Sequence, residues 1–121
     1  MTQTQNFDEE SIERAVWDAF AALGAELVAG SDAVLDLVGF DERAAAVDLV
    51  VTGEGAVDAT TAEGKAPGAV ARRCTRFAVR CVVVGGVVSA PVEGAETIAL
   101  SGDPARCADD LRQLGRRLAA G

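Results

Sequence analysis

VDLVVTGEGAVDATTAEGKAPGAV, residues 47–70, decides how the rest of the chain is read. Val47, Leu49, Val50 and Val51, bounded by Gly53, predict a strand of a parallel sheet covered on both faces. The run then opens into a loop carrying Gly53, Glu54, Gly55, Asp58, Gly64 and Lys65. Ligands of open α/β sheets collect at the carboxyl ends of such strands. Lys65 is the chain's only lysine, since arginine supplies every other positive side chain. A lysine is a compact, mobile point charge suited to a phosphate or a carboxylate.

Downstream of the loop, Thr60 and Glu63 have capping-box spacing, and Pro67 suits the first turn of a helix that should run to about Phe77. Val70, Cys74 and Phe77 form its inner stripe, with the arginines turned outward. A second strand, Arg80 to Val84, is closed by Gly85 and Gly86, which could approach a ligand or turn the chain, the turn being the favoured reading, and a third spans Glu96 to Leu100. Asp103 then caps and Pro104 opens a last helix with Cys107, Leu111, Leu114 and Leu118 inward. Upstream, Ile12, Val16, Ala19, Phe20, Leu23 and Leu27 recur at helical spacing, with Asp8, Glu9 and Glu10 in the first turn and Gly30 at the end. Ser31 offers an N-cap to a short second helix closed by Gly39, and Asp41 is placed to cap one more turn. The expected architecture is α/β: a three-stranded parallel Rossmann-like sheet with flanking helices and a helical N-terminal segment. Residues 1–6 read as a mobile polar tail and 7–121 as one domain. Three strands leave both edges close to the middle, so the N-terminal helices, a second copy or a partner chain must cover that surface.

Composition narrows the function. Half of the 121 residues are hydrophobic, yet only one Trp and four Phe are present, so the core must be built from Val, Ala and Leu. Nineteen acidic against eleven basic residues give a formal charge of -8, which repels nucleic acid and anionic membranes. No apolar run approaches the ~20 residues of a membrane span, and no secretory signal is visible. Cys74, Cys81 and Cys107 form no CxxC pair and no histidine exists to complete a zinc site. They read as buried structural thiols, and the setting as cytoplasmic.

The loop has the residue types that phosphoryl transfer requires: carboxylates to hold a metal or accept a hydroxyl proton, a cation for phosphates, and glycines that bare the backbone. It is not a Walker A loop, because Ala59 and Ala66 stand where Gly and Ser or Thr would be needed. The plainer alternatives are that Asp58 caps a turn, Glu54 is a solvated carboxylate and Lys65 is an ordinary surface lysine.

GAELVAGSDAVLDLVGFDERAAAVDLVVTGEGAVDATTAEGKAPGAVARR, residues 24–73, resembles the C-terminal part of the glycerate kinase type I family. Family members typically read TGEGRLD, then a Q-T pair, then GK-P here. The resemblance implies ATP-dependent phosphorylation of glycerate with Mg2+. It places Glu54 and Asp58 in the cleft near the glycerate or the metal, and Lys65 near a carboxylate or phosphate, so that Glu54, Asp58 and Lys65 are the candidate catalytic residues. Gly53, Gly55 and Gly64 are the candidate substrate- or phosphate-binding positions, and no residue is assigned as a metal ligand. Ala56 departs from the pattern, standing where the family has arginine, and Thr60 replaces the usual glutamine. The family's upstream α/β structure lies across an active-site cleft, and without it a solitary copy should be a poor kinase. The other function class is a non-catalytic module that binds a small anion or a protein.

Overall fold

The computed structural model describes residues 8–26 and 28–121. The expected polar tail and Leu27 lie outside the described residues. Helices α1 (Glu9–Ala22), α2 (Gly30–Leu37) and α3 (Phe40–Ala44) precede strand β1 (Leu49–Val57). Helix α4 (Ala66–Arg76), strands β2 (Arg80–Val88) and β3 (Glu96–Ala99), and helix α5 (Cys107–Ala120) follow. Short 3-10 turns at Thr61–Glu63 and Pro104–Arg106 lead into α4 and α5. The sheet has the order β1-β2-β3 and both pairs are parallel. The expected three-stranded parallel α/β architecture with a helical N-terminal segment is what forms.

β2 is the middle strand, and Cys81 to Gly85 are all buried. On one face Val50, Cys81 and Val83 pack with Val70, Ala71 and Cys74 of α4. Val92, in the connection from β2 to β3, is buried in the same cluster, so this connection reinforces the α4 layer. On the other face Val82 and Val84 meet Leu114 of α5, with Leu49, Ile98 and Leu118 around them. Each valine fully removed from water contributes about 1.5 kcal/mol or more, which is how a core poor in aromatic rings is sustained.

Both long strands run past the glycines expected to end them. Gly53, Glu54 and Gly55 lie inside β1, and Gly85 and Gly86 lie inside β2. The reason is close approach. A Cβ on Gly53 would stand 2.5 Å from the Val84 carbonyl oxygen, and one on Gly86 would stand 2.8 Å from that of Gly55. The paired register Gly53↔Val84 and Glu54↔Gly85 resumes at Ala56↔Val87. Val57 and Val88 then join the α4-side cluster, while Val87, which strict alternation would place there, is exposed. The inside-outside alternation therefore slips by one residue at Gly55 and Gly86, turning the ends of both strands.

Other expectations are corrected. α1 ends at Leu23 and Gly24, where φ is +81°, and not at Gly30, which instead begins α2. Ala29 is the N-cap of α2, leaving Ser31 inside its first turn. Gly39, with φ +67°, closes α2 as expected and serves as N-cap of α3, so Asp41 is in the first turn and not the cap. α1 buries none of its residues; Ile12, Val16, Trp17 and Phe20 remain about half exposed. In α5 only Leu114 is fully buried, whereas Cys107 and Leu111 are exposed beside Val51. These residues line a groove of about 420 Å3 with Val84, Gly86 and Leu100. Asp103 caps the Pro104–Arg106 turn by accepting from the Ala105 amide at 3.0 Å. No helix among the described residues is long and apolar enough to cross a membrane.

Candidate functional site

The second half of β1 and the N-terminus of α4 bring Glu54, Asp58 and Lys65 together. The Lys65 ammonium stands 3.3 Å from Glu54 Oε1 and 3.9 Å from Asp58 Oδ1. Glu54 is the most enclosed of the three, its side chain 20% exposed against 46% for Lys65. Asp58 folds back on its own turn, accepting from the Thr60 amide at 2.9 Å and the Thr60 hydroxyl at 2.6 Å. Those bonds, foremost the Thr60 hydroxyl, hold the Asp58 carboxyl below its ordinary range, and Lys65 adds to the effect. Asp58 thus does cap a turn, as the plainer alternative held, but it does so within reach of the lysine. The expected Thr60–Glu63 capping box is absent: Thr60 makes no side-chain cap bond, because its hydroxyl is committed to Asp58.

Thr61, which local pattern did not single out, is the pivot. It is fully buried, receives the Asp58 amide on its Oγ1 at 3.0 Å, and donates to Glu54 Oε1 at 3.4 Å. One hydroxyl therefore ties the turn to the strand. The Thr61 carbonyl lies so close to α4 that a Cβ on Gly68 would stand 2.4 Å from it, which fixes the helix against the turn. Gly64 has φ +145°, a region essentially confined to glycine, and it delivers Lys65 as N-cap of α4. Of the other glycines marked by the sequence, Gly53 lies against β2 and Gly55 is exposed on β1.

Each carboxylate uses one oxygen. Among the described residues, no hydrogen bond reaches Glu54 Oε2 or Asp58 Oδ2. No cluster of three or more metal-ligating side chains exists among them either. Two carboxylates with free lone pairs nevertheless suit magnesium, which is commonly held by one or two carboxylates and completed by phosphate oxygens and water.

Behind the site lies a second ionic group. Arg73, expected on the outer face of α4, is 5% exposed. Its guanidinium bonds Asp36 at 2.7 Å, Asp32 at 3.0 Å and Asp41 at 3.1 Å, and also reaches the Asp32 carbonyl at 3.1 Å. Asp36 and its companions raise the Arg73 pKa further, so the charge is permanent. Arg72 does point away, donating to the Ala62 carbonyl at 2.8 Å. Cys74 and Cys81 are buried thiols, as expected. Burial first, and then the neighbouring Cys74, push Cys81 up to about 12, so neither behaves as a nucleophile. Cys107, expected to be buried with them, is exposed instead.

Comparison with known proteins adds an independent line. The model of the glycerate kinase family matches residues 17–105. The glycerate kinase of Bacillus cereus is 44% identical over 69 residues, which is 57% of this chain and 18% of the relative. That of Bacillus subtilis is 37% identical over 73 residues, 60% of this chain and 19% of the relative. That of Neisseria meningitidis serogroup B is 45% identical over 62 residues, 51% of this chain and 16% of the relative. The matched stretch thus spans less than a fifth of the length of these relatives.

Proposed function

The chain belongs to the glycerate kinase family, and from that premise we propose that it supplies the carboxylate and lysine part of a site that transfers phosphate from ATP to glycerate, with turnover weak or absent in these residues on their own. The observation that carries this reading is the set Glu54, Asp58 and Lys65 at one end of β1, each carboxylate with one oxygen free of hydrogen bonds among the described residues. Phosphoryl transfer asks a protein mainly for positioning and charge neutralisation. Lys65 is the mobile cation that meets a phosphate oxygen or the glycerate carboxylate. Asp58, ionised and oriented by Thr60, accepts the hydrogen bond of the substrate hydroxyl and aligns it. Glu54, anchored by Thr61, keeps Lys65 in place. Glu54 and Asp58 would hold magnesium, which when bound neutralises the nucleotide phosphates. Gly53, Gly55 and Gly64 keep the surrounding backbone free of side chains.

Ala56 lies exposed on β1 where the family pattern has arginine, so one fork donor for an anion is missing from this chain. This favours a second reading in which the same residues bind a small anion without turnover. Thermal melting separates binding from its absence. D-glycerate, or ATP with magnesium, at about 100 times its dissociation constant should stabilise the parent by ~2.7 kcal/mol and leave Lys65→Ala unshifted. Glycerate-dependent ADP release is then measured with the chain alone and with the remaining portion of a glycerate kinase added. Release that requires both the added portion and Lys65 supports the kinase reading. Binding without release under either condition supports the anion module, and no shift with any ligand removes both.

A further inference from the structure

We infer that α2 is a strap that positions Lys65, acting from Arg73 through Asp32 and Ser31 to the Gly64 carbonyl. The inference deepens the proposed function, naming the residues that hold its cation in place, and its test does not require kinase activity.

Arg73 grips α2 at two points one turn apart, Asp32 and Asp36, and grips Asp41 of α3 beside them. Both ends of the Asp32 residue are engaged, its carboxylate by Nε and Nη2 and its carbonyl by Nη2. The residue before it, Ser31, donates from its hydroxyl to the Gly64 carbonyl at 3.2 Å. Gly64 directly precedes Lys65. On its other side Lys65 is held by α4, where its carbonyl receives the Ala69 amide at 3.3 Å. The Lys65 backbone is thus fixed from the helix on one side and from α2 on the other. Without the strap, the glycine at φ +145° has wide conformational freedom and the ammonium loses its fixed place between Glu54 and Asp58. Ser31 and Asp32 touch none of the reacting groups, so they are positioning residues.

The chain's single lysine makes the test direct, because its side chain gives one ammonium signal in nitrogen-detected NMR. Ser31→Ala and Asp32→Asn are compared with the parent for Lys65 ammonium order and proton exchange, with the thermal midpoint measured alongside. Both variants should accelerate exchange by about threefold to tenfold, the equivalent of one net hydrogen bond, and Ser31→Thr should restore the parental rate. Ser31→Ala should lower the midpoint by no more than about 5 °C, so that it stays folded at the temperature of the comparison. Parental exchange in folded Ser31→Ala and Asp32→Asn overturns the strap. Loosened exchange in these variants, with no ligand response in the parent, retains the strap and overturns the proposed function instead.

Discussion

The molecule holds two sets of carboxylates around a cation, and they are built in opposite ways. Around Arg73, three carboxylates and a carbonyl converge on a planar, permanently charged fork that is almost wholly buried. Around Lys65, two carboxylates face a point charge that stays nearly half exposed, and each offers only one oxygen. A fork satisfied on every side cannot leave its carboxylates without stranding a buried charge. A solvated lysine can trade one anion for another at little cost. Similar ingredients thus give a fastener in one place and an exchangeable contact in the other, and burial decides which.

The sharpest way to break that comparison is at the fastener. Arg73→Ala strips the counter-charge from three aspartates and detaches α2 and α3 from α4, so the thermal midpoint should fall by about 10 °C or more. A fall no larger than that of an exposed-arginine control such as Arg112→Ala would mean that the buried fork is not a fastener. The corresponding change at the site, Lys65→Ala, should leave the midpoint within about 2 °C and abolish any ligand-induced rise. Salt sharpens the contrast. At about 1 M salt the screening length is ~3 Å, so the Lys65 ammonium should gain mobility in NMR relaxation while the Arg73 guanidinium stays protected from exchange. Equal response at both positions would erase the distinction.

The smallest effect concerns acid. Asp58 has a folded pKa below its ordinary 3.8. Its contribution to stability is therefore present above that value and is lost as pH falls through the lower, folded one. Asp58→Asn should flatten the decline in urea midpoint between about pH 4 and pH 2 by a small amount, since the group is well solvated. An unchanged decline would show that the Thr60 bonds contribute nothing to folding.

Much of this arrangement was legible in the sequence. The unit β1-α4-β2, Pro67 in the first turn of α4, the Asp103 cap and the closure at Gly39 follow from local signals that tertiary packing did not oppose. The meeting of Glu54, Asp58 and Lys65 was also readable, because a strand leading into a helix forces its connecting residues to one end of the sheet. Strand length was not. Gly53, Gly55, Gly85 and Gly86 look like punctuation in one dimension, and only the folded strands reveal that a Cβ would have no room at Gly53 or Gly86, against the neighbouring strand, or at Gly85, against Val87 and Val88 of its own strand as well as Val57. Arg73 was misplaced for a related reason. Its partners lie 32 to 41 residues upstream, beyond any helical period, and an arginine beside Arg72 and Arg76 looks solvated. Thr61 had a weak signal, as the threonine that matches the family's Q-T pair, but its buried hydroxyl is visible only once β1 and the turn are folded together. Gly30 was mistaken for the end of α1 because apolar spacing continues past Gly24.

α1 has a further consequence for how the protein melts. Its fourteen residues are capped by Asp8, which accepts from the Ser11 amide at 2.7 Å, yet none of its side chains is buried. A helix of that length standing alone is marginal in water. The chain should therefore separate into two thermodynamic compartments, a cooperative sheet unit and a helix that frays independently. Circular dichroism should show a gradual loss of helical signal on warming, well below the sharp transition of the sheet. Deleting α1 should remove the slope and leave the transition where it was.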